Sequence, residues 1–163
     1  MAYVCDADAM INLHRHFKQN AISKLRKMMR SGALKLPQGV VGELLRGTDK
    51  LKQLVRQYRS DVEVKITIQA DPRLRDTLAD LERKYGERIR LGGNEYPGFW
   101  HSRSGRKSAD AQVVAVAKVK GWTVVSDNRE VKLACLLENV PCIGWTEFAR
   151  QIGLGGVQLG LFP

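Results

Sequence analysis

The sequence predicts an α/β fold built on a mostly parallel sheet, on the strength of three observations. Short apolar runs, Ala2 to Cys5 and Trp122 to Val125, are each closed by polar or acidic residues, as buried strands are. Strand and helix patterns alternate through the C-terminal half, as in successive βαβ units. The chain has 163 residues with a 44% hydrophobic share, which suits one domain with a proper core.

The elements follow in order. Ala2 to Cys5 reads as a short buried strand ended by Asp6-Ala7-Asp8. Helical spacing runs from Met10 to Phe17 and again from Ile22 to Met29, with Gly32 as the stop. Leu34 to Leu36 is extended and closed by Pro37. One helix is expected from Val40 to Tyr58, with Glu43 outside its apolar arc and able to face a cleft. Val62, Val64, Ile66 and Ile68 alternate with polar residues, as in a half-buried strand. A charged amphipathic helix spans Leu74 to Tyr85, and Gly92 to Arg106 reads as a loop. Ser108 suits the N-cap of a helix from Ala109 to Lys120, which Gly121 stops. Trp122 to Val125 is the next strand. A helix at Val131 to Glu138, a strand at Pro141 to Trp145 and a helix at Thr146 to Ile152 complete the domain, residues 1–152. The Gly-rich, apolar tail 153–163 reads as a flexible end, with an added edge strand or a docking segment as the alternatives.

Lys and Arg number 27 against 17 Asp and Glu, a net charge of +10. A surface so positive favours polyanions, chiefly nucleic acid. Cys5, Cys135 and Cys142 form neither a metal-binding pair nor an even disulfide framework and read as small core residues, which suits a reducing cytoplasm. No apolar run approaches membrane-spanning length, and Asp6 follows the N-terminus too soon for a signal peptide.

Against this basic background, Asp6, Glu43, Asp110 and Asp127 stand at strand ends and helix starts. Open parallel sheets bind ligands outside the carboxyl ends of their strands, and helix N-termini lie on the same side. The four acids are therefore expected to converge. Converged carboxylates raise one another's pKa unless a cation neutralises them. A ligand set of hard oxygens suits Mg²⁺ or Mn²⁺, which also bridge to phosphate oxygens and activate water. None of the four decides alone. Asp6 and Asp127 are also ordinary turn residues, Asp110 is a favourable helix-start acid, and Glu43 would pair with Arg46 or Arg15 on a surface.

The stretches Tyr3-Val-Cys-Asp6-Ala-Asp8-Ala-Met-Ile11, Val40-Val-Gly-Glu43-Leu-Leu45, Ala109-Asp110-Ala-Gln-Val-Val-Ala115 and Thr123-Val-Val-Ser-Asp127 resemble, in this order, the motifs of PIN domains. The likeness covers residues 2 to 150 and is nearest to VapC-type toxin ribonucleases and related prokaryotic PIN-like proteins. It implies a three-layer fold with sheet order 3-2-1-4-5. It also implies Mg²⁺- or Mn²⁺-dependent cleavage of RNA, a cognate antitoxin and a homodimer. Asp6, Glu43, Asp110 and Asp127 match the family's acids, and Ser126 its hydroxyl residue before the last acid. Asp8 departs from the small polar residue usual there and is a candidate further metal ligand. The segment from Asp61 to Lys107 is longer and more charged than in minimal toxins.

Arg103, Arg106 and Lys107 precede the Asp110 helix and are candidates to hold RNA phosphates, and Ser126 is a further candidate for substrate contact. Phe99, Trp100 and His101 would either stack an unpaired base or pack on the core. His14, Arg15, His16, Lys18, Lys24, Lys27 and Arg30 read as a solvated face or as a contact for substrate or antitoxin. His14 and His16, two apart, do not share a helix face. Two other functions fit the same residues. A phosphatase of the haloacid dehalogenase type would use Asp6 as nucleophile and Asp8 as general acid. A PIN-like module without catalysis would only bind RNA or protein.

Overall fold

A computed structural model describes residues 1–100 and 109–154 of the chain. The first strand, β1 (Tyr3–Cys5), is buried and leads through Asp6 into α1 (Ala7–Phe17). Ala7, Ala9, Met10 and Leu13 form the buried side of α1. Lys18 breaks the helix at a φ of 51°, and α2 (Gln19–Ser31) follows, ended by Gly32 in the left-handed region. The next strand is β2 (Leu34–Pro37).

The single helix expected from Val40 to Tyr58 is two helices, α3 (Gln38–Leu44) and α4 (Lys50–Gln57). The apolar arc continues across the break, so periodicity alone joins them. Asp49 starts the second helix by accepting the Lys52 N–H at 3.1 Å. The strand expected over Val62 to Ile68 shrinks to β3 (Lys65–Ile66). Asp61 accepts the Glu63 N–H at 2.9 Å and folds its neighbours into a turn, leaving Val62 80% exposed while Val64 is buried. Ile68–Ala70 is one 3₁₀ turn, followed by α5 (Pro72–Tyr85) capped by Asp71.

The region around Gly92 is not simply a loop. β4 (Arg88–Leu91) and β5 (Asn94–Pro97) form an antiparallel hairpin, with the whole of β4 lying before the expected loop and β5 inside it. Gly92 and Gly93 make its two-residue turn with φ of 58° and 82°, a conformation open to glycine and strained for most other residues. The expected loop misses a signal that was present, two glycines between extended runs.

The later elements match the expectation closely: α6 (Ala109–Lys120), β6 (Thr123–Val125), α7 (Arg129–Leu137), β7 (Cys142–Ile143) and α8 (Trp145–Gln151). Trp145 belongs to the last helix rather than to the strand before it. Ser108 and residues 155–163 of the tail lie outside the described residues.

The central sheet has five strands in the order β3-β2-β1-β6-β7, all parallel. Because the β4–β5 hairpin pairs only with itself, the sheet's own strands run third, second, first, fourth, fifth. This is the 3-2-1-4-5 order implied by the resemblance. Right-handed crossovers put the helices after β1 and those after β3 on opposite faces. Accordingly α1 packs with α2, α4 and α8, while α6 packs with α5, α7 and the strands β1, β2 and β6. The fold is a three-layer α/β sandwich. Helix α6 is buried from Ala109 to Ala117 except at Asp110, so it is apolar nearly all round, as an interior helix must be.

The cysteines are free, Cys5 and Cys135 buried and Cys142 partly so, as expected of small core residues. At the far end of α7, the Glu138 carboxylate gathers the Tyr85 hydroxyl, Lys118 and Lys84. Among the described residues no helix is long and apolar enough to cross a membrane.

Candidate functional site

The chain turns one way from β1 to β2 and the other way from β6 to β7, so the switch point lies between β1 and β6. Tyr3, Val4 and Cys5 pair with Thr123, Val124 and Val125, which brings Asp6 and Ser126 side by side at the carboxyl ends. Asp6 is 4% exposed. One of its oxygens accepts the Ala9 N–H at 2.8 Å, capping α1, and the other accepts the Ser126 hydroxyl. Burial pushes the Asp6 carboxyl above its ordinary pKa, against the pull of Ser126 and Ala9; Asp8 and Asp127 push it further up.

Asp127 is exposed, two residues beyond the end of β6. Its Oδ2 accepts the Trp145 N–H at 2.8 Å, and Lys132 lies 3.6 Å from its Oδ1. This docking needs glycine at position 144, where a Cβ would stand 2.5 Å from Asp127 Oδ1. Gly144 thus lets the loop after β7 close against the acid after β6.

Glu43 and Asp110 arrive on two helices locked together at their first turns. The Gly39 N–H donates to Gln112 Oε1 at 2.8 Å, and a Cβ on Gly39 would meet that oxygen at 2.8 Å and Ala109 Cβ at 3.0 Å. Only glycine lets α3 approach α6 this closely without displacement. Glu43 lies one turn along α3, with burial and Asp8 raising its pKa, Arg46 lowering it and Asp6 raising it again. The Asp110 carboxyl is pushed up to about 6, first by burial, then by Asp6, Glu43, Asp8 and Glu130. Asp8, exposed in the first turn of α1, acts on Asp6, Glu43 and Asp110 alike.

The expected acids are therefore neighbours that feel one another's charge. They do not form a closed cage. Among the described residues no group of three or more His, Cys, Asp and Glu side chains is assembled to hold a metal ion. Mutual repulsion opposes such closure for carboxylates on their own. Hydrogen bonds also hold Asp6 and Asp127 to the scaffold.

Ser126, a candidate for substrate contact, is wholly buried, donates to Asp6 and accepts the Asn128 N–H at 3.0 Å. It positions an acid and has no outward face. Phe99 and Trp100 pack around Tyr85, with centroids 5.7 and 6.2 Å from its ring, which favours their core reading over base stacking. His101, Arg103, Arg106 and Lys107 lie outside the described residues. His14 stands 3.5 Å from Asp49, and His16 stacks on Trp145 at 4.6 Å.

Two participants were not singled out from the sequence. Gln112 is the lone amide in the Ala/Val run of α6, and that isolation was its signal. Glu130 bears on Asp110 from the first turn of α7 and carries no signal beyond lying three residues after Asp127.

Fold and site together define a three-layer α/β domain with a carboxylate cluster at the switch point of its sheet. The chain belongs to the family described as a domain of unknown function (DUF4411), whose model matches residues 3–154. No curated protein matches it.

Proposed function

We propose that the protein is a metal-dependent endoribonuclease, the toxin of a type II toxin–antitoxin pair, acting in the cytoplasm. The observation that carries this reading is the mutual coupling of Asp6, Asp8, Glu43 and Asp110 at the switch point, with Asp127 coupled to Asp6. Acids pushed up as Asp6, Glu43 and Asp110 are would be stabilised by a cation, and the donors are all hard oxygens, which fits Mg²⁺ or Mn²⁺. Asp6, Asp110 and Asp127 would hold the ion, with Asp8 as a further ligand and Glu43 completing or orienting the site. Bound there, the ion would supply an activated water and neutralise charge on the phosphate.

The chain's own residues have separable tasks. Ser126 and the Ala9 N–H hold Asp6 in one orientation. The Trp145 N–H holds Asp127. Gln112 and Gly39 set the spacing of the helices bearing Asp110 and Glu43. The positive charge of +10 attracts the RNA that an acidic site alone would repel. A cognate antitoxin and a homodimer belong to the same proposal through the resemblance to VapC-type toxins.

A phosphatase using Asp6 as nucleophile has less support. Such an enzyme needs a late pair of acids, and Asp127 is followed by Asn128, whose side chain caps α7. A module that only binds RNA or protein leaves the cost of gathering these acids without a purpose.

The test compares wild type with Asp6→Asn and Asp127→Asn, following growth and RNA integrity on expression and cleavage of RNA with Mn²⁺ in vitro. Wild type should arrest growth and cut RNA, and both variants should lose these activities. Variants as toxic as wild type, or wild type inert toward RNA with Mn²⁺ supplied, would sink the proposal.

A further inference from the structure

A cavity of about 370 Å³ opens beside the acids, between α1 and the turn after β6. Asp8, Ile11, Asn12 and Arg15 line it from the helix, and Asp127 and Asn128 from the turn. Positions 8, 11, 12 and 15 recur at helical spacing, so one stripe of α1 forms this wall. The stripe begins with a carboxylate and ends with a guanidinium. At 1.5 Å per residue, Arg15 lies about 10 Å along the axis from Asp8.

Two of the polar groups on α1, Asn12 and Arg15, have no partner among the described residues. Arg15 is exposed and forms no ion pair with any described residue, although Asp8 and Asp127 line the same cavity. Asn12 makes no side-chain hydrogen bond to the described residues. Asn128 uses its Oδ1 to cap α7, accepting the Val131 N–H at 3.0 Å, and so offers N–H donors to the cavity. Ile11, half-buried, supplies an apolar patch between them. An anionic end held by a fork of donors, beside an apolar patch and amides, is the chemistry of a nucleotide unit.

We propose that this cavity seats the nucleotide adjoining the scissile phosphate of a single-stranded RNA. Arg15 binds its phosphate, and Ile11, Asn12 and Asn128 receive its sugar and base. The proposal rests on the ribonuclease reading and adds a subsite to it. Arg15 stands at the far end of the stripe from Asp8 and is assigned the phosphate next to the reacting one. It is a substrate-positioning residue, and the acids remain the centre of reaction.

The probe is a fluorescein-labelled single-stranded RNA of about twelve nucleotides, within the range one such groove accommodates. Its binding to the full chain is followed by anisotropy in EDTA, which stops cleavage, across about 50 to 200 mM salt. Arg15→Gln should weaken binding about tenfold and lower the slope of log affinity against log salt by about one, the signature of one lost phosphate contact. Lys27→Gln, which removes an exposed charge from α2 away from the cavity, should weaken binding less than about threefold, as loss of a general field does. The subsite is refuted if wild type does not bind the RNA, if Arg15→Gln binds like wild type, or if Lys27→Gln matches Arg15→Gln. The ribonuclease reading fails separately: RNA bound with the Arg15 dependence but left intact when Mn²⁺ is supplied would retain the Arg15 phosphate contact and remove the enzyme. With the enzyme would go the place of this nucleotide beside a scissile phosphate.

Discussion

At the scale of single residues, Asp110 has the most distinctive physical state, a carboxyl raised from 3.8 to about 6 by burial and four neighbouring acids. The fold favours its protonated form, so its stabilising contribution is full below the unfolded pKa and is lost as pH rises through about 6. In EDTA the wild-type protein should therefore melt at a lower temperature at pH 7 than at pH 5, other groups being equal. Asp110→Asn should remove much of that difference. It should flatten the fall in stability between pH 5 and pH 7 and lose RNA cleavage. Thermal melts of both proteins across this range would check it. A variant whose melting temperature falls between pH 5 and pH 7 as steeply as that of wild type would show that Asp110 is not the group responsible. The sequence placed Asp6 and Asp127 after strands and Asp110 at a helix start, because short-range patterns determine where such elements stop. Glu43, expected near the start of a long helix, stands instead in the last turn of the short α3. The sequence could not assign Ser126 to Asp6, or Gln112 to Gly39, because those bonds join residues 120 and 73 positions apart.

At the scale of elements, the contact between α3 and α6 determines whether Glu43 and Asp110 share a site. Its tightest point is Gly39, bonded to Gln112 and in close approach to Ala109. Gly39→Ala should force the helices apart at a cost of about 1–3 kcal/mol, the usual penalty for overpacking. It should also cut RNA cleavage more than binding, since the acids move relative to each other and the groove along α1 does not. The cost should be smaller in a Gln112→Ala background, where the nearest clashing atom is gone, giving a coupling that a double-mutant cycle can read. Additive effects would mean that the amide oxygen is not what Gly39 makes room for. The errors of element prediction share a cause with this contact. The 40–58 helix, the strand at 62–68 and the loop around Gly92 were each read from hydrophobic spacing, which records which side is buried and not where the backbone breaks. Asp49, Asp61 and the Gly92-Gly93 pair set those breaks through local hydrogen bonds and positive φ.

At the scale of the whole molecule, an acidic reaction centre sits in a chain of net charge +10, and the two must act at different ranges. At 0.1 M salt the field of exposed charges decays over about 10 Å. The basic surface therefore acts on a polymer lying across many Lys and Arg side chains and far less on one phosphate at the acids. For an RNA oligonucleotide, raising salt from about 50 to 200 mM should lift KM by a factor of about ten or more, because several phosphate contacts are weakened together. The rate at saturation should change less than about threefold, since the centre is partly buried and weakly screened. A small phosphodiester such as bis-p-nitrophenyl phosphate, which spans none of the basic surface, should show little salt dependence in either constant. Steady-state kinetics on both substrates in Mn²⁺ would separate the cases. If the small ester lost activity as steeply as RNA, salt would be acting at the acids themselves, and the charge of +10 would have no part in recruiting the polymer. If neither substrate responded, the basic residues would serve only solubility, and RNA would have to be held by uncharged contacts that the cavity beside Asp8 is too small to provide alone.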